Sequence, residues 1–108
     1  MNAKYENCVR ACEICWRKCI ECLNEMASMQ SDNECPRCCH QCEIVCETCV
    51  ELMIVNSPFA ERACELCAEI CEWCAEQCAA HDHDHCQACA AACRECAQAC
   101  RSVAGAAA

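Results

Sequence analysis

Residues 8–22 read CVRACEICWRKCIEC, and the gaps between their cysteines alternate between four and three residues. This alternation places side chains on one face of an α-helix, at the a and d positions of a heptad. In a helical bundle those positions usually hold leucine. The stretch therefore predicts a helix whose buried face consists of thiols.

The pattern recurs three more times, which gives four stripes of cysteines with helical spacing. The residues between the cysteines include many Ala, Glu, Gln, Arg and Leu, which favour helix. In the second stripe, Cys38 is an additional cysteine beside Cys39. The stripes are Cys8, Cys12, Cys15, Cys19 and Cys22; Cys35, Cys38, Cys39, Cys42, Cys46 and Cys49; Cys64, Cys67, Cys71, Cys74 and Cys78; and Cys86, Cys89, Cys93, Cys96 and Cys100.

We predict helices at about residues 4–27, 34–55, 58–80 and 85–103. Their similar lengths and short connections predict an all-α, up-down-up-down antiparallel four-helix bundle. A chain of 108 residues is expected to form a single domain, 1–108. Each stripe must then face the bundle axis, so the core is expected to be lined with cysteine.

Local signals mark the starts of the last three helices. Ser31 and Glu34 have the spacing of a capping box ahead of the second helix. Ser57 followed by Pro58 predicts the N-cap and first residue of the third helix. Asp84 is expected to cap the fourth.

The composition excludes several classes of protein. Cysteine accounts for 21 of 108 residues, an odd number, and the chain has one Gly and two Pro, so a loop-rich secreted disulfide scaffold does not fit. The first six residues lack a secretory signal, and we expect a cytoplasmic, reducing location. The net charge of −9 disfavours nucleic acid and anionic membranes as partners.

The stripes favour metal binding over disulfides. Packed helix axes lie about 8–10 Å apart, whereas bridged Cα atoms are usually within about 7 Å. Metal–thiolate bonds span a longer distance, because two bonds of about 2.3 Å meet at one ion. CxxC pairs such as Cys12/Cys15 and Cys71/Cys74 recur along every stripe and place two thiols on one face. A core of thiols without metal would underfill the space between the helices.

Charge balance favours Cu(I) among the metals. One Zn²⁺ bound by four thiolates leaves a charge of about −2 at each buried site. Soft, monovalent Cu(I) shared between bridging thiolates approaches one ion per thiolate, which is nearly neutral. The alternatives are a zinc or iron–sulfur binding protein, or a CxxC thiol redox protein, although no thiol pair is distinguished from the others. No carboxylate pair is set apart for acid–base catalysis, so no enzyme activity is expected.

With these four stripes and the histidine-rich connection at residues 81–85, the chain resembles the cysteine-rich four-helix-bundle copper storage proteins of bacteria. The resemblance covers all four stripes. It implies a row of Cu(I) ions in the bundle, mostly two-coordinate, held by CxxC pairs or by cysteines of neighbouring helices. It also implies a homotetramer, and the N-terminus is similar to that of the cytosolic members.

The topology predicts that the first and third connections lie at the same end of the bundle. Met26, Met29, His81 and His85 are candidate neutral ligands there, which would pass Cu(I) inward to the thiolates. Alternatively, the methionines fill the core. His83 is expected to be a solvated loop residue.

Other side chains are expected to have structural roles. His40 lies off its stripe and is expected to point outward. Met53, Pro58 and Phe59 are predicted to form a hydrophobic plug at the opposite end. The apolar residues off the stripes would seal neighbouring helices or form the face of a homo-oligomer. These residues are Ile14, Trp16, Ile20, Ile44, Val45, Leu66, Ile70 and Trp73.

Overall fold

The computed structural model describes residues 2–106. A short 3₁₀ turn at Ala3–Tyr5 leads into four α-helices, and the described residues contain no strand. The predicted all-α class is confirmed. The ends of the predicted domain, Met1 and residues 107–108, lie outside the described residues. The helices are α1 (Glu6–Met26), α2 (Arg37–Ile54), α3 (Ala60–Ala79) and α4 (Asp84–Ala106).

The helices form an elongated bundle with extents of 40 × 20 × 17 Å. Helices α1 and α3 each pack against α2 and α4, so the diagonal pairs are α1/α3 and α2/α4. Cys8 of α1 lies beside Cys100 of α4, whereas Cys22 lies beside Cys86, so these two helices are antiparallel. The predicted up-down-up-down topology is therefore confirmed.

The start of α2 differs from the prediction. The Ser31 hydroxyl accepts a hydrogen bond from the Asn33 amide at 3.2 Å, while the Glu34 amide donates to Gln77 Oε1 at 3.0 Å. The predicted capping box is therefore wrong, because both groups that would form it bind elsewhere. Helix α2 begins at Arg37, about three residues later than expected.

The starts of α3 and α4 also shift by a few residues. Ser57 does accept a hydrogen bond, from the Phe59 amide at 3.0 Å, but it caps a turn that precedes α3. Helix α3 itself begins at Ala60. Asp84 is the first residue of α4 and not its cap, since the carbonyl of His83 accepts the first amide hydrogen bond, from Cys86 at 3.0 Å.

Sulfur dominates the core. All 21 cysteines are buried, and no polar or charged side chain among the described residues is buried with them. Free cysteine packs as a small hydrophobe, so the core is apolar when the thiols are protonated. Buried alanines on α3 and α4, namely Ala68, Ala75, Ala90 and Ala97, leave room for these two helices to approach closely.

Within residues 2–106, no helix has an apolar stretch long enough to cross a membrane.

Candidate metal centre

The cysteines form layers across the bundle, each with one thiol from every helix. The 3-4 spacing brings a thiol to the axis about every half heptad, and antiparallel packing aligns these positions between helices. Several sets of four Sγ atoms lie within 4.8 Å of one another, and two of these sets illustrate such layers. These layers are Cys12, Cys46, Cys67 and Cys96, and Cys19, Cys39, Cys74 and Cys89.

Close sulfur contacts continue along the whole length of the bundle. Between α1 and α4, the Sγ–Sγ distances are 3.5 Å for Cys8–Cys100, 3.6 Å for Cys15–Cys93, 3.7 Å for Cys19–Cys89 and 3.8 Å for Cys22–Cys86. Between α2 and α3, they are 3.4 Å for Cys49–Cys64, 3.5 Å for Cys42–Cys71 and 3.5 Å for Cys39–Cys78.

Thiols also meet across the bundle diagonal. Sulfur atoms of α2 and α4 lie 3.8 Å apart at Cys42–Cys93 and 3.9 Å apart at Cys46–Cys96. Within single helices, close contacts join cysteines four residues apart, such as Cys67 and Cys71 at 3.8 Å. The axis is therefore a continuous column of sulfur, in which each thiol has partners in its own layer and in adjacent layers.

The extra cysteine of the second stripe, Cys38, is also buried. Its Sγ lies 4.0 Å from both the Cys78 thiol and the carbonyl oxygen of Cys74. Cys35, which precedes α2, lies 3.9 Å from Cys78. Cys78 therefore has several thiol partners at the end of the sulfur column.

The environment of the thiols controls their ionisation. Burial raises the pKa of Cys86 to about 11, with a smaller opposing effect from the Cys22 thiol. Hydrogen bonding to Cys15 and other thiols, together with burial, raises the pKa of Cys19. The pKa of Cys15 is lowered because it receives the same contact from Cys19. A metal ion must therefore displace protons that these thiols share.

The geometry accommodates more than one kind of metal ion. Four thiolates bound at about 2.3 Å in a tetrahedron have sulfur atoms about 3.8 Å apart, and a three-coordinate ion needs a similar spacing. The observed distances of 3.4–4.0 Å are in this range. Sulfur spacing alone therefore does not identify the ion.

At one end of the column, which we call the mouth, sulfur gives way to thioether and imidazole. Met26 is buried, with its Sδ 4.0 Å from the Cys86 thiol. His85 is half-buried and places Nδ1 3.5 Å from the same thiol. Its other ring nitrogen, Nε2, is buried without a hydrogen-bond partner. An unpaired buried nitrogen that can accept a bond is available to a soft cation.

The other candidates at the mouth lie further out. His81 is half-buried, and its Nε2 lies 3.1 Å from the Ser31 hydroxyl and 3.0 Å from Asn33 Oδ1. His83 is exposed, as expected, and stacks between the rings of His81 and His85 at centroid distances of 6.1 and 5.3 Å. Met29 is 41% exposed in the connection after α1. The structure therefore brings Met26 and His85 to the thiols, but not Met29.

The opposite end, which we call the closed end, is sealed by apolar side chains. Met53 is buried, with its Sδ 3.9 Å from the Cys64 thiol. Phe59 is 59% exposed, so the prediction that it plugs this end is wrong. Phe59 and Pro58 lie in the turn before α3 and are exposed there, whereas Ala60 starts the helix and is buried.

Tyr5 and Val103 seal the closed end, and sequence reasoning missed both. Tyr5 is 3% exposed and Val103 is 5% exposed. A signal for them was present, since Tyr5 precedes Cys8 by three residues and Val103 follows Cys100 by three. They continue the stripes in the same register, and the change from cysteine to a bulkier side chain marks the end of the sulfur column.

The apolar residues off the stripes divide into two groups. Val45 is buried, and Ile70 and Trp73 pack against the core. These three residues therefore seal neighbouring helices, which was the first of the two predicted roles. The other five remain at least partly open to solvent. Their exposed fractions are 50% for Ile14, 37% for Trp16, 40% for Ile20, 51% for Ile44 and 52% for Leu66. His40 is exposed, as expected.

Comparison with known proteins identifies the family. A family model described as copper storage protein (Csp) matches residues 1–105. The chain belongs to the copper storage protein family. The chain is also similar to the cysteine-rich protein YhjQ of Bacillus subtilis (strain 168). The two are 46% identical over 99 residues, which cover 91% of this chain and 87% of the relative.

Solved structures support the family assignment. The Cu(I)-bound copper storage protein BsCsp3 superposes with a TM-score of 0.89 and 41% identity, covering 94% of this chain and 98% of that one. Apo-Csp3 from Bacillus subtilis gives a TM-score of 0.88 and 44% identity over 93% of this chain and 98% of that one. The four-helix bundle of this copper storage family member is thus shared over nearly its whole length.

Proposed function

We propose that this copper storage protein holds Cu(I) along the full length of its sulfur column, at about one ion per thiolate, or on the order of 20 ions per chain. All 21 cysteines are ligands in this proposal. Met26, Met29, His81 and His85 bind ions transiently at the mouth. The whole chain, residues 1–108, acts as one storage domain.

The observation that carries this proposal is the absence of compensating charge in the core. Among the described residues, no basic or polar side chain is buried beside the thiols. Thiolates that bind a divalent ion four at a time would leave excess negative charge in an apolar interior, which is strongly unfavourable. Cu(I) bridged by thiolates neutralises one charge per ion, so the whole column can fill.

The mouth supports a direction of loading. Thioether and imidazole are neutral ligands that bind Cu(I) more weakly than thiolate does, so an ion bound there can move on to Cys86. Met26 and His85 both contact that thiol, at 4.0 and 3.5 Å. The closed end also has a buried thioether, Met53, but no histidine among the described residues accompanies it there. Ions are therefore taken up and released at the mouth.

The biological setting follows from the same chemistry. Free thiols persist in a reducing compartment, which supports a cytoplasmic store. Storage and buffering need no catalytic group, and the protein acts by keeping Cu(I) from other thiols and from redox cycling. The exposed apolar residues of α1 and α2, among them Ile14, Trp16 and Ile44, support self-association, as a homotetramer.

An anaerobic titration of the reduced apo-protein tests the proposed stoichiometry. Cu(I) is added in competition with a chromophoric chelator, and the gel-filtered product is analysed for metal and protein. We expect about one ion per thiolate. A plateau at four or five ions would indicate tetrathiolate sites and contradict the proposal, and a parallel titration with Zn²⁺ provides the comparison.

A further inference from the structure

The connection between α1 and α2, residues 27–36, lies against the end of α3, and Asn33 makes several of the contacts there. Asn33 contacts Ser31, Cys35, Gln77 and His81. We propose that Asn33 is a positioning residue that fixes the tautomer of His81, so that Nδ1 is the nitrogen that binds Cu(I) at the mouth. This inference rests on the proposed uptake of copper at that end.

The orientation of the Asn33 amide is determined by two backbone groups. The Cys35 amide donates to Oδ1 at 3.0 Å, and Nδ2 donates to the carbonyl oxygen of Gln77 at 2.8 Å. A backbone N–H can only donate and a backbone carbonyl can only accept. Exchanging the oxygen and nitrogen of this amide would break both hydrogen bonds, so Oδ1 faces His81.

The orientation of Asn33 in turn determines the proton on His81. Nε2 of His81 lies 3.0 Å from Asn33 Oδ1, which has no proton to donate. Nε2 must therefore carry the hydrogen, and in a neutral imidazole Nδ1 then holds the lone pair. Ser31 also lies 3.1 Å from Nε2, but a hydroxyl can donate or accept and does not select a tautomer.

This arrangement matches the way in which proteins prepare histidine ligands. A metal-binding histidine commonly donates its second N–H to a carbonyl or carboxylate group, which fixes the ring and makes the other nitrogen a better donor. Gln77 strengthens the anchor, because its side chain accepts a hydrogen bond from the Glu34 amide at 3.0 Å. His81 is thereby held to the first connection while Nδ1 stays available.

His85 provides a contrast at the same mouth. Its Nδ1 contacts the Cys86 thiol, and its Nε2 is the buried nitrogen without a partner. The ring nitrogen that contacts neighbouring protein groups is therefore Nε2 in His81 and Nδ1 in His85. Such a difference is visible in nitrogen chemical shifts, independently of any storage measurement.

The test is nitrogen NMR of ¹⁵N-histidine-labelled, reduced apo-protein at a pH where imidazole is neutral. We expect His81 to show a protonated Nε2 with slow proton exchange and an unprotonated Nδ1. The first equivalents of Cu(I), which is diamagnetic, should shift Nδ1 and leave the Nε2 proton in place. Because this measurement uses the wild-type protein, a protonated Nδ1, or displacement of the Nε2 proton by Cu(I), would overturn the proposal.

Two variants separate positioning from general loosening of the connection. Asn33→Ala should lose the slowly exchanging Nε2 proton and slow Cu(I) uptake from a chelator by about tenfold, with capacity retained. Ser31→Ala, which removes a neighbour of the same nitrogen, should keep both the proton and the rate. Equal effects of the two variants would refute the role of Asn33. A wild-type capacity of only a few ions would instead refute the proposed function.

Discussion

The two ends of the bundle are closed by different kinds of side chain. At the mouth, Met26 and His85 contact Cys86 through sulfur and nitrogen atoms that can bind a soft cation. At the closed end, Met53 supplies one thioether beside Cys64, whereas the buried Tyr5 and Val103 offer no such ligand and no histidine of the described chain is present. The helices between these ends are nearly uniform, so the ends alone give the column a direction.

The largest expected effect concerns the closed end. Tyr5→Ala removes a buried aromatic ring and leaves a cavity, which should lower the free energy of unfolding of the apo-protein by about 3–5 kcal/mol. Anaerobic denaturant titration followed by circular dichroism measures this change. The control is Met29→Ala at the mouth, where an exposed side chain is expected to change stability by less than about 0.5 kcal/mol. Similar losses in both variants would remove the distinction between a sealed end and an open one.

The next effect concerns loading through the mouth. Replacing Met26 and His85 together with leucine keeps apolar bulk but removes both neutral ligands, so Cu(I) uptake should slow by about 10- to 100-fold. The capacity should stay near that of the wild type, because the thiols remain. Stopped-flow transfer of Cu(I) from a coloured chelator gives the rate. The matched control, Met53→Leu, removes the thioether of the closed end, and an equal slowing there would show that both ends admit copper.

The smallest effect is a pH dependence that originates at the mouth. Because the pKa of Cys86 is about 11, higher than that of a thiol in an unfolded chain, the unfolded state loses its proton first as the pH rises. The Cys86 thiol therefore contributes to the stability of the folded protein below pH about 8.5, and this contribution is lost as the pH rises toward about 11.

Between pH 7.5 and 9.5 the apo-protein should lose about 1 kcal/mol of stability through this thiol. Denaturant titrations of the reduced protein at both pH values measure the loss. Cys86→Ala should reduce the dependence by that amount. The same pH dependence in Cys86→Ala as in the wild type would contradict the assignment.

Much of the fold could be predicted because cysteine replaces the usual core residue at nearly every stripe position. The 3-4 spacing identifies the helices, and their lengths and connections identify the bundle. The same spacing also continues through Tyr5, Met26, Met53 and Val103, so the ends of the column were present in the pattern as well.

The errors arose where a local motif competed with a distant partner. Ser31 and Glu34 have capping-box spacing, but Gln77 lies next to them only in the folded bundle and takes the Glu34 amide. The network around Asn33 has no signature in the linear sequence for the same reason. Phe59 was predicted to lie near the start of α3 and to close the column. Because α3 begins two residues later, at Ala60, Phe59 lies in the exposed turn before the helix.

The repetition of thiols along the axis also bears on how the chain finds a single structure. Because successive layers present the same four side chains, a helix displaced by one heptad would meet nearly identical neighbours, and the core would hardly resist the slip. Alignment must then be specified by the few residues that differ, such as Tyr5, Met53 and Asn33. A protein built from a repeated ligand keeps its information about register at its two ends.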